Sequence, residues 1–386
     1  MNAMPPPAPT DAMPRPDAPP RSGKVALVLQ GGGALGAYQA GVYQALHEAD
    51  LDPEWIAGVS IGGINAAIIA GNPRERRLER LRQFWEVVTS HSVAGPAPDG
   101  DFARRLYNTW SSMVTTAFGQ SGFFTPHRPG PWFAGRGATG ATSFYDSTPL
   151  RQTLAEVVDF DLLNSGAIRF AVGAVNVATG NFAYFDSADT RIEPVHIEAS
   201  GALPPALPMQ QIGDDWFWDG GLVSNTPLQH LLDHAGRDSM LVFQVDLFSA
   251  RGQIPRDIGE VLARQKDIMY SSRTRLVTEY YREQHKRKVQ LRRLLSRLPD
   301  AELSAEERAL RAELEHLPNF TILHLIYQGA AHEGQMKDFD FSAASMRDHW
   351  NAGHRDTQRT LARGEWLRVP GEDQGIVVHD IHHPRP

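Results

Sequence analysis

The sequence predicts an α/β protein of three layers, in which a mostly parallel central sheet lies between two layers of helices. The first observation is that short apolar segments, typical of buried parallel strands, alternate with helix-compatible segments across residues 24–247. The second is that two of these predicted strands end directly in glycine-rich turns, each followed by a helix. The 386-residue length suits one large α/β domain or two ordinary ones.

Composition is that of an ordinary globular protein and excludes several other classes. Hydrophobic residues make up 41% of the chain and charged residues 22%. The formal net charge of −7 argues against a general nucleic-acid-binding protein. Because the chain has no cysteine, disulfides, thiolate catalysis and cysteine-based zinc sites are excluded. No apolar segment approaches the roughly 18–20 residues that cross a membrane.

The N-terminal residues 1–22 are rich in proline and contain almost nothing that could enter a core. They lack the apolar segment of a secretory signal. We therefore expect a disordered leader on a cytoplasmic protein.

The first strand, residues 24–30 (KVALVLQ), leads into the glycine loop GGGALG at residues 31–36. Backbone N–H groups of such a loop, beside a helix N-terminus, bind anions. A dinucleotide fingerprint would need an acidic residue closing the next strand, and a P-loop would need Gly-Lys-Ser/Thr. An oxyanion-binding loop made of Gly31, Gly32 and Gly33 fits best, because consecutive strands usually lie side by side.

The second strand enters WIAGVSIGGINAAIIAG at residues 55–71, which predicts a strand, a sharp turn with one serine, and a helix. A nucleophile elbow has this layout, with Ser60 in a strained backbone conformation. Gly58 and Gly62 would remove the side-chain clashes two residues on either side. The backbone N–H of Ile61 would then point toward a developing oxyanion. An ordinary strand-to-helix turn can also carry GxSxG, so this motif alone leaves both interpretations open.

The region that follows divides into an orderly helix and a segment without clear periodicity. Residues 73–88 predict an amphipathic helix on the flank of the sheet. Residues 95–145 combine many glycines and prolines with nine aromatic side chains spread between Phe102 and Phe144. Such a segment predicts a loosely folded cover or a wall for acyl chains, although the aromatics could also enter the core.

The second half of the sheet region predicts further strands and helices in alternation. Their expected positions are a helix at 148–157, strands at 168–177 and 181–186, a short helix at 194–200, a proline turn at 199–208, a strand at 216–218, a helix at 225–235 and a strand at 240–245.

Asp219 is the second candidate for catalysis. It ends a predicted strand beside Gly220 and Gly221, which would let another backbone approach closely. The carboxylate could accept the serine proton directly and later activate water. A purely structural Asp-Gly turn is the alternative. A Ser-Asp-His triad is another, with His230 or His234, although both histidines have the pattern of ordinary helix-surface residues.

Four motifs in this order resemble those of patatin-like phospholipases, over roughly residues 24–247: GGGALGAYQAGV (31–42), GVSIGG (58–63), ASGALPPALP (199–208) and DGGLVSNTPL (219–228). The resemblance implies a lipid acyl hydrolase with a Ser-Asp dyad and no catalytic histidine. Ser60 would be the nucleophile and Asp219 the base. The glycines at 31–33 would form the oxyanion hole, and Gly36 would support the loop. We expect no cofactor and propose no metal site.

Leu35 departs from the commoner family pattern, in which Arg or Lys occupies this position. GxGxLGxY is similar to the adipose triglyceride lipase branch, which leaves neutral glycerides, phospholipids, other esters and thioesters open. We expect Leu35 to form an apolar wall beside the oxyanion loop and to favour neutral glycerides. A different class, a non-hydrolytic lipid-binding or membrane-docked protein with the same fold, is the alternative.

The last third predicts mainly helices. The expected elements are one or two helices at 254–298, a hairpin partner at 300–315, a strand at 319–328 that closes the sheet edge, and a helix at 342–361. The basic stretch 273–297 could contact an anionic membrane, or could be a solvated helix face. His379, His382 and His383 suggest a mobile tail rather than a metal site. We therefore expect a leader at 1–22, a catalytic domain at 23–250 and an accessory region at 251–386 packed on it.

Overall fold

The computed structural model describes residues 23–90, 98, 100–138, 140–330, 332–371 and 374–381. The expected leader, together with His382 and His383, lies outside these ranges. The strands are β1 Lys24–Leu29, β2 Trp55–Val59, β3 Thr125–Pro126, β4 Tyr145–Asp146, β5 Arg169–Asn176, β6 Phe182–Asp186, β7 Gln210–Ile212, β8 Asp215–Asp219, β9 Met240–Asp246, β10 Phe320–Ile326 and β11 Ile376–Asp380. The helices are α1 Ala37–Glu48, α2 Ile61–Ala70, α3 Arg77–Thr89, α4 Asp101–Phe118, α5 Thr148–Val157, α6 Phe160–Leu163, α7 Pro194–Gly201, α8 Leu228–His234, α9 Ile258–Tyr270, α10 Thr274–Leu295, α11 Ala305–Leu314 and α12 Ala343–Leu361.

A nine-stranded sheet forms the centre of the molecule, in the order β11-β10-β9-β1-β2-β5-β8-β7, with β6 also paired to β5. The neighbours from β11 through β5 are parallel, whereas β6, β7 and β8 pair antiparallel. This confirms the α/β fold with a mostly parallel sheet. The prediction that residues 319–328 close the sheet edge is wrong, because β11 pairs outside β10.

Strand register brings the two glycine-rich turns to one edge of the sheet. β1 and β2 pair in parallel, with Leu29 opposite Gly58. The glycine loop after β1 and the serine turn after β2 therefore leave neighbouring strands at the same level. Every residue of α2 is buried, which explains why its sequence is apolar on all sides.

Helices α1 and α12 cross at a contact that only glycines allow. A Cβ on Gly41 would lie 1.9 Å from the carbonyl oxygen of Trp350, and one on Gly353 would lie 2.0 Å from that of Tyr38. The Tyr38 hydroxyl also donates to Asp356 at 3.0 Å. Helix α12, from the last third of the chain, is thus packed directly on the first helix.

Residues 100–145 are more regular than the sequence analysis expects. They contain α4, an 18-residue helix, so the interpretation of a loosely folded cover is wrong for this part. One face of α4 exposes large apolar side chains, including Phe102 at 78% and Trp110 at 59%. Phe123 and Phe124, beyond its C-terminal end, are buried in the main core.

Other expectations for the C-terminal region have mixed outcomes. Residues 254–298 form two helices, α9 and α10, and Leu295 packs with Leu303 and Leu314 in a small apolar cluster beside α11. His379 does not lie in a mobile tail: it is in β11, and its ring stacks on Trp366 at 4.8 Å. Among the described residues, no helix combines the length and apolarity that crossing a bilayer requires.

Candidate active site

Ser60 occupies a sharp turn between β2 and α2, with φ 55° and ψ −128°. A non-glycine residue rarely adopts a positive φ, so the surrounding structure must hold it there. A Cβ on Gly58 would lie 2.4 Å from the Gly62 carbonyl oxygen, and one on Gly62 would lie 2.4 Å from the Leu29 carbonyl oxygen. Both glycines are therefore required by close backbone approach, as a nucleophile elbow predicts.

Ser200 fixes the backbone of the serine turn. Its Oγ accepts a hydrogen bond from the Ser60 amide at 2.9 Å and donates one to the Gly173 carbonyl at 2.6 Å. Ser200 itself is fully buried in α7. It lies in the motif ASGALPPALP, but the sequence pattern gives it no role. Its hydrogen bonds tie the turn to β5, the next strand of the sheet.

Asp219 is brought to Ser60 across strand β5. On one side of β5, Gly173 is opposite Val59, and on the other side Ala174 is opposite Asp219. The Ser60 hydroxyl lies close enough to the Asp219 carboxylate to lower the pKa of that carboxyl, and both residues line one cavity. Asp219 Oδ1 also accepts from the Gly221 amide at 2.7 Å. The structure thus places the two residues together at the sheet edge.

The environment of Asp219 changes its acidity. The side chain is buried, and loss of hydration disfavours the charged form. Burial raises the pKa of Asp219 to about 7, although the nearby Ser60 hydroxyl and the hydrogen bond from the Gly221 amide act in the opposite direction. Perturbed acidity in a concave site is characteristic of functional groups.

The glycine loop lies directly against Ser60. A Cβ on Gly31 would lie 3.0 Å from the Ser60 Cβ. The Gly31 amide donates a hydrogen bond to the Asn225 carbonyl at 3.3 Å. The amides of Gly32 and Gly33 donate no hydrogen bond to another described residue. Gly33 has φ +55°, and a Cβ there would lie 2.3 Å from the Asp338 carbonyl oxygen.

The supporting residues of these motifs have structural explanations. The Ile61 side chain is buried in the main core, and its backbone begins α2 beside Ser60. A Cβ on Gly36 would lie 2.5 Å from Ile61 Cγ1. A Cβ on Gly220 would lie 2.6 Å from the Gly173 carbonyl oxygen, and one on Gly221 would lie 3.0 Å from Asn225 Oδ1.

A small apolar cavity of about 90 Å³ opens onto Ser60 and Asp219. Its apolar walls come from four parts of the chain: Phe123, Phe124 and Tyr145; Leu203, Ala206 and Leu207; Phe248 and Tyr270; and Phe339 and Phe341. Asp338 is the other charged lining residue, and it pairs with Lys266 at 2.7 Å. The cavity walls therefore suit an acyl chain better than a charged group.

Residues 336–341, which we call the cover segment, form one wall of this cavity. Two reciprocal ion pairs connect the segment to α9, Lys266 with Asp338 and Lys337 with Asp267, each at 2.7 Å. The Ser112 hydroxyl of α4 also donates to the Met336 carbonyl at 3.2 Å. The sequence gives no signal for this wall, because no local pattern relates residues 336–341 to Ser60.

No histidine lines the cavity in the described part of the chain. His230 is buried, with Nε2 2.8 Å from Asp186 and its ring stacked on Tyr184. Its interpretation as a helix-surface residue is therefore wrong. His234 lies beside it, at a ring separation of 4.3 Å.

Leu35 does not form the wall that the sequence analysis expects. It is fully buried in the main core and does not line the cavity. The short 3₁₀ turn Gly33–Gly36 directs this side chain inward, away from the cavity. Position 35 therefore gives no basis for predicting the head group.

The fold and the serine turn define an α/β protein with nucleophile-elbow geometry and an apolar cavity beside it. The chain belongs to the patatin-like phospholipase family: the model of that family, Patatin-like phospholipase, matches residues 27–232. A second model, Patatin phospholipase, matches residues 268–373. This confirms the resemblance seen in the four motifs.

Relatives of this chain include two kinds of lipid hydrolase. Lysophospholipase nte1 of Aspergillus terreus is 26% identical over 240 residues, which are 62% of this chain but 13% of that protein. Triacylglycerol lipase ptl3 of Schizosaccharomyces pombe is 44% identical over 80 residues, 20% of this chain and 17% of that protein. The chain thus spans only a small part of these relatives.

A crystal structure of VipD from Legionella pneumophila aligns with 89% of this chain and 67% of its own, at 14% identity and a TM-score of 0.38. At that score the likeness carries no argument about function.

Proposed function

We propose that this protein is a lipid acyl hydrolase in which Ser60 is the nucleophile and Asp219 the general base. The observation that carries the proposal is that Ser60 and the buried Asp219 carboxylate line the same wall of an apolar cavity, where the Ser60 hydroxyl is close enough to lower the pKa of that carboxyl. A nucleophile and base within hydrogen-bond reach are the arrangement that covalent acyl transfer requires. The family and the names of its relatives agree with this chemistry.

In the first half-reaction, Ser60 Oγ attacks the ester carbonyl while its proton passes to Asp219. The amides of Gly32 and Gly33 stabilise the tetrahedral oxyanion. The Ile61 amide, at the positive N-terminal end of α2, contributes further stabilisation. Gly31 contributes mainly by permitting close approach, because its own amide is bonded to Asn225. Collapse of the intermediate expels the alcohol, which takes the proton from Asp219, and leaves an acyl-enzyme.

In the second half-reaction, Asp219 accepts a proton from water as that water attacks the acyl-enzyme. The carboxylic acid is released and Ser60 recovers its proton. A pKa of Asp219 near 7 suits both directions of transfer, because the group can hold and release a proton near neutral pH. Phospholipids, glycerides and thioesters all present the carbonyl that this sequence of steps needs.

We also propose that the protein meets its substrate at a lipid surface. A groove of about 330 Å³ separates α4 from α9, and the cover segment forms part of its floor. Both flanking helices expose large apolar side chains, such as Leu106 at 58% and Ile258 at 74%. Apolar helix faces beside an acyl cavity would enter the boundary of a bilayer. The basic stretch 273–297, largely α10, could add attraction to anionic lipids.

Turnover of a short-chain nitrophenyl ester tests the proposed hydrolase directly. Wild-type protein should release nitrophenol and react with a fluorophosphonate, whereas Ser60→Ala should lose both activities and keep its melting temperature. Ser165→Ala, at an exposed hydroxyl far along the chain, is the matched control. A wild-type protein that binds lipid without any turnover would instead favour the non-hydrolytic alternative.

A further inference from the structure

A second cavity, of about 1050 Å³, lies at the carboxyl ends of β9, β10 and β11. The last residue of each strand, Asp246, Ile326 and Asp380, lines it. Ligands of open parallel sheets commonly bind outside the carboxyl ends of the strands. The volume is at the upper end of the range typical of small-molecule sites. Phe248 lines both this cavity and the one at Ser60.

Basic side chains from three elements converge on this second cavity. Arg275, Arg282 and Lys286 of α10 line it, at spacings of seven and four residues that place them on one face of the helix. Arg251 follows β9, and Arg363 follows α12. The basic stretch seen in the sequence therefore directs part of its charge into a concave site.

Most of this positive charge is not neutralised by neighbouring carboxylates. Arg275 pairs with Glu279 at 2.8 Å. Within the described ranges, Arg251, Arg282, Lys286 and Arg363 form no ion pair with a carboxylate. A concentration of cations on a chain with a net charge of −7 creates a local field that favours anions.

The floor of the cavity is polar and contains two carboxylates, Asp246 and Asp380, together with the imidazole of His324. Asp246 is buried, and His324 Nε2 lies 2.5 Å from its carboxylate. Burial alone would lower the pKa of His324, but Asp246 outweighs this effect and raises it. The hydroxyl of Ser272 also donates to Asp246. The lining carries five basic side chains against two carboxylates, so positive charge predominates in the cavity.

We propose that this cavity binds a phosphate-bearing ligand, either a free phosphorylated compound or the phosphate of a lipid head group. Several cations on a concave wall suit a group with more than one negative charge, and Arg binds phosphate oxygens in pairs. Hydroxyl and imidazole groups on the floor can contact the remaining oxygens. The lipid source is included because Phe248 connects this cavity to the one that the acyl chain would occupy. The site does not depend on the hydrolase proposal.

Two double variants of α10 test the site with matched loss of charge. Arg282→Gln/Lys286→Gln removes two cavity cations, whereas Arg287→Gln/Lys288→Gln removes two exposed cations of the same helix that do not line the cavity. Calorimetric titration of the full chain with inorganic pyrophosphate should show saturable binding. We expect the cavity variant to weaken it by at least about tenfold and the control variant to leave it nearly unchanged.

Co-sedimentation with phosphatidylcholine vesicles, with and without phosphatidic acid, distinguishes the two sources. If the cavity variant loses only pyrophosphate binding, the ligand is a free phosphorylated compound. If the cavity variant also loses the sedimentation that depends on phosphatidic acid, the ligand is a lipid head group. Equal weakening in both variants, or no saturable binding of either probe by wild type, overturns the proposal. Melting temperatures verify that both variants fold, and repeating the titration with Ser60→Ala separates binding from turnover.

Discussion

Asp219 must be ionised to act as the proposed base, yet it is buried in a site that disfavours its charge. Because burial raises its pKa to about 7, kcat/KM of the wild type should rise with pH through about 7 and then level off. Asp219→Asn cannot accept the proton, so kcat should fall by about 10²–10⁴. Initial rates on a soluble nitrophenyl ester between acid and alkaline pH measure both effects. Near-wild-type turnover of Asp219→Asn would contradict the role.

The same carboxylate should reduce stability as pH rises. A carboxyl with a raised folded-state pKa holds its proton in the folded protein at pH values where the unfolded chain has lost it. Folding stability from this group therefore falls between about pH 4 and pH 7, and the penalty is complete above that range. Asp219→Asn carries no such charge, so it should gain stability over wild type by on the order of a few kcal/mol at alkaline pH. Urea unfolding on both sides of the transition measures this, and a pH-independent difference would refute it.

Individual residues of the site differ in how far the sequence could predict them. Ser60 and Asp219 stand in glycine-bordered motifs, because sharp turns and close backbone approach restrict the local sequence. Ser200 and Phe341 have no comparable signal. Ser200 acts on the serine turn through hydrogen bonds made across α7 and β5, and Phe341 reaches the cavity from the far end of the chain. Contacts between distant segments leave no local pattern.

At the scale of elements, the crossing of α1 and α12 should be sensitive to a single methyl group. Gly353→Ala would place a Cβ 2.0 Å from the Tyr38 carbonyl oxygen. Although alanine favours helices, the overpacking should lower the free energy of unfolding by about 1–3 kcal/mol. Gly259→Ala in α9 is the control, because its Cβ would meet only Asp257 Oδ1 at 3.3 Å. Urea unfolding measures the free energy of unfolding of both variants. Equal values would mean that α1 and α12 can move apart enough to accommodate the added methyl group.

The exposed face of α4 should matter only when the substrate is in a lipid phase. Phe102→Glu/Trp110→Glu places charge on side chains that are 78% and 59% exposed, so the fold should be unaffected. Each substitution would remove about 1.5–3 kcal/mol of the free energy that the aromatic side chain gains when it is buried in lipid. Turnover of vesicle substrates should therefore fall by at least about tenfold, with soluble-ester turnover unchanged. Leu298→Glu, at another exposed apolar side chain, is the control. A similar loss with that control, or with soluble esters, would exclude a specific lipid face.

Helices and strands could be predicted where the burial of one or both of their faces imposes a regular pattern of apolar residues. Strands β1, β2 and β9 are apolar runs because both faces of the sheet are buried at these strands. Helix α4 was missed because its exposed aromatics break the usual rule that the outer face is polar. Strand β11 was missed because it is short, half-buried and close to the C-terminus, where His379 suggested a tail.

At the scale of the whole molecule, the last third of the chain is built into the same sheet and core as the family motifs. β10 pairs with β9 along its full length, with Phe320 opposite Met240 and Ile326 opposite Asp246. Trp350 of α12 and Phe341 belong to the main core cluster. The sequence predicts β10 as a further strand of this sheet beyond the long helices α9 to α11, but gives no comparable signal for β11. The boundary at residue 250 stays a prediction.

A chain ending after residue 250 should therefore fail to fold. It would lose the partner of β9, the helix that packs on α1 and one wall of the cavity at Ser60. An unpaired, apolar β9 edge would promote aggregation, and the uncovered core could not offset the entropy of ordering the chain. We expect low soluble yield and no cooperative thermal transition, measured by near-ultraviolet circular dichroism. Deletion of residues 1–22 is the contrasting truncation and should preserve both the transition and ester turnover. A soluble, cooperatively melting 23–250 fragment would show instead that the family domain is independent of the region that extends its sheet.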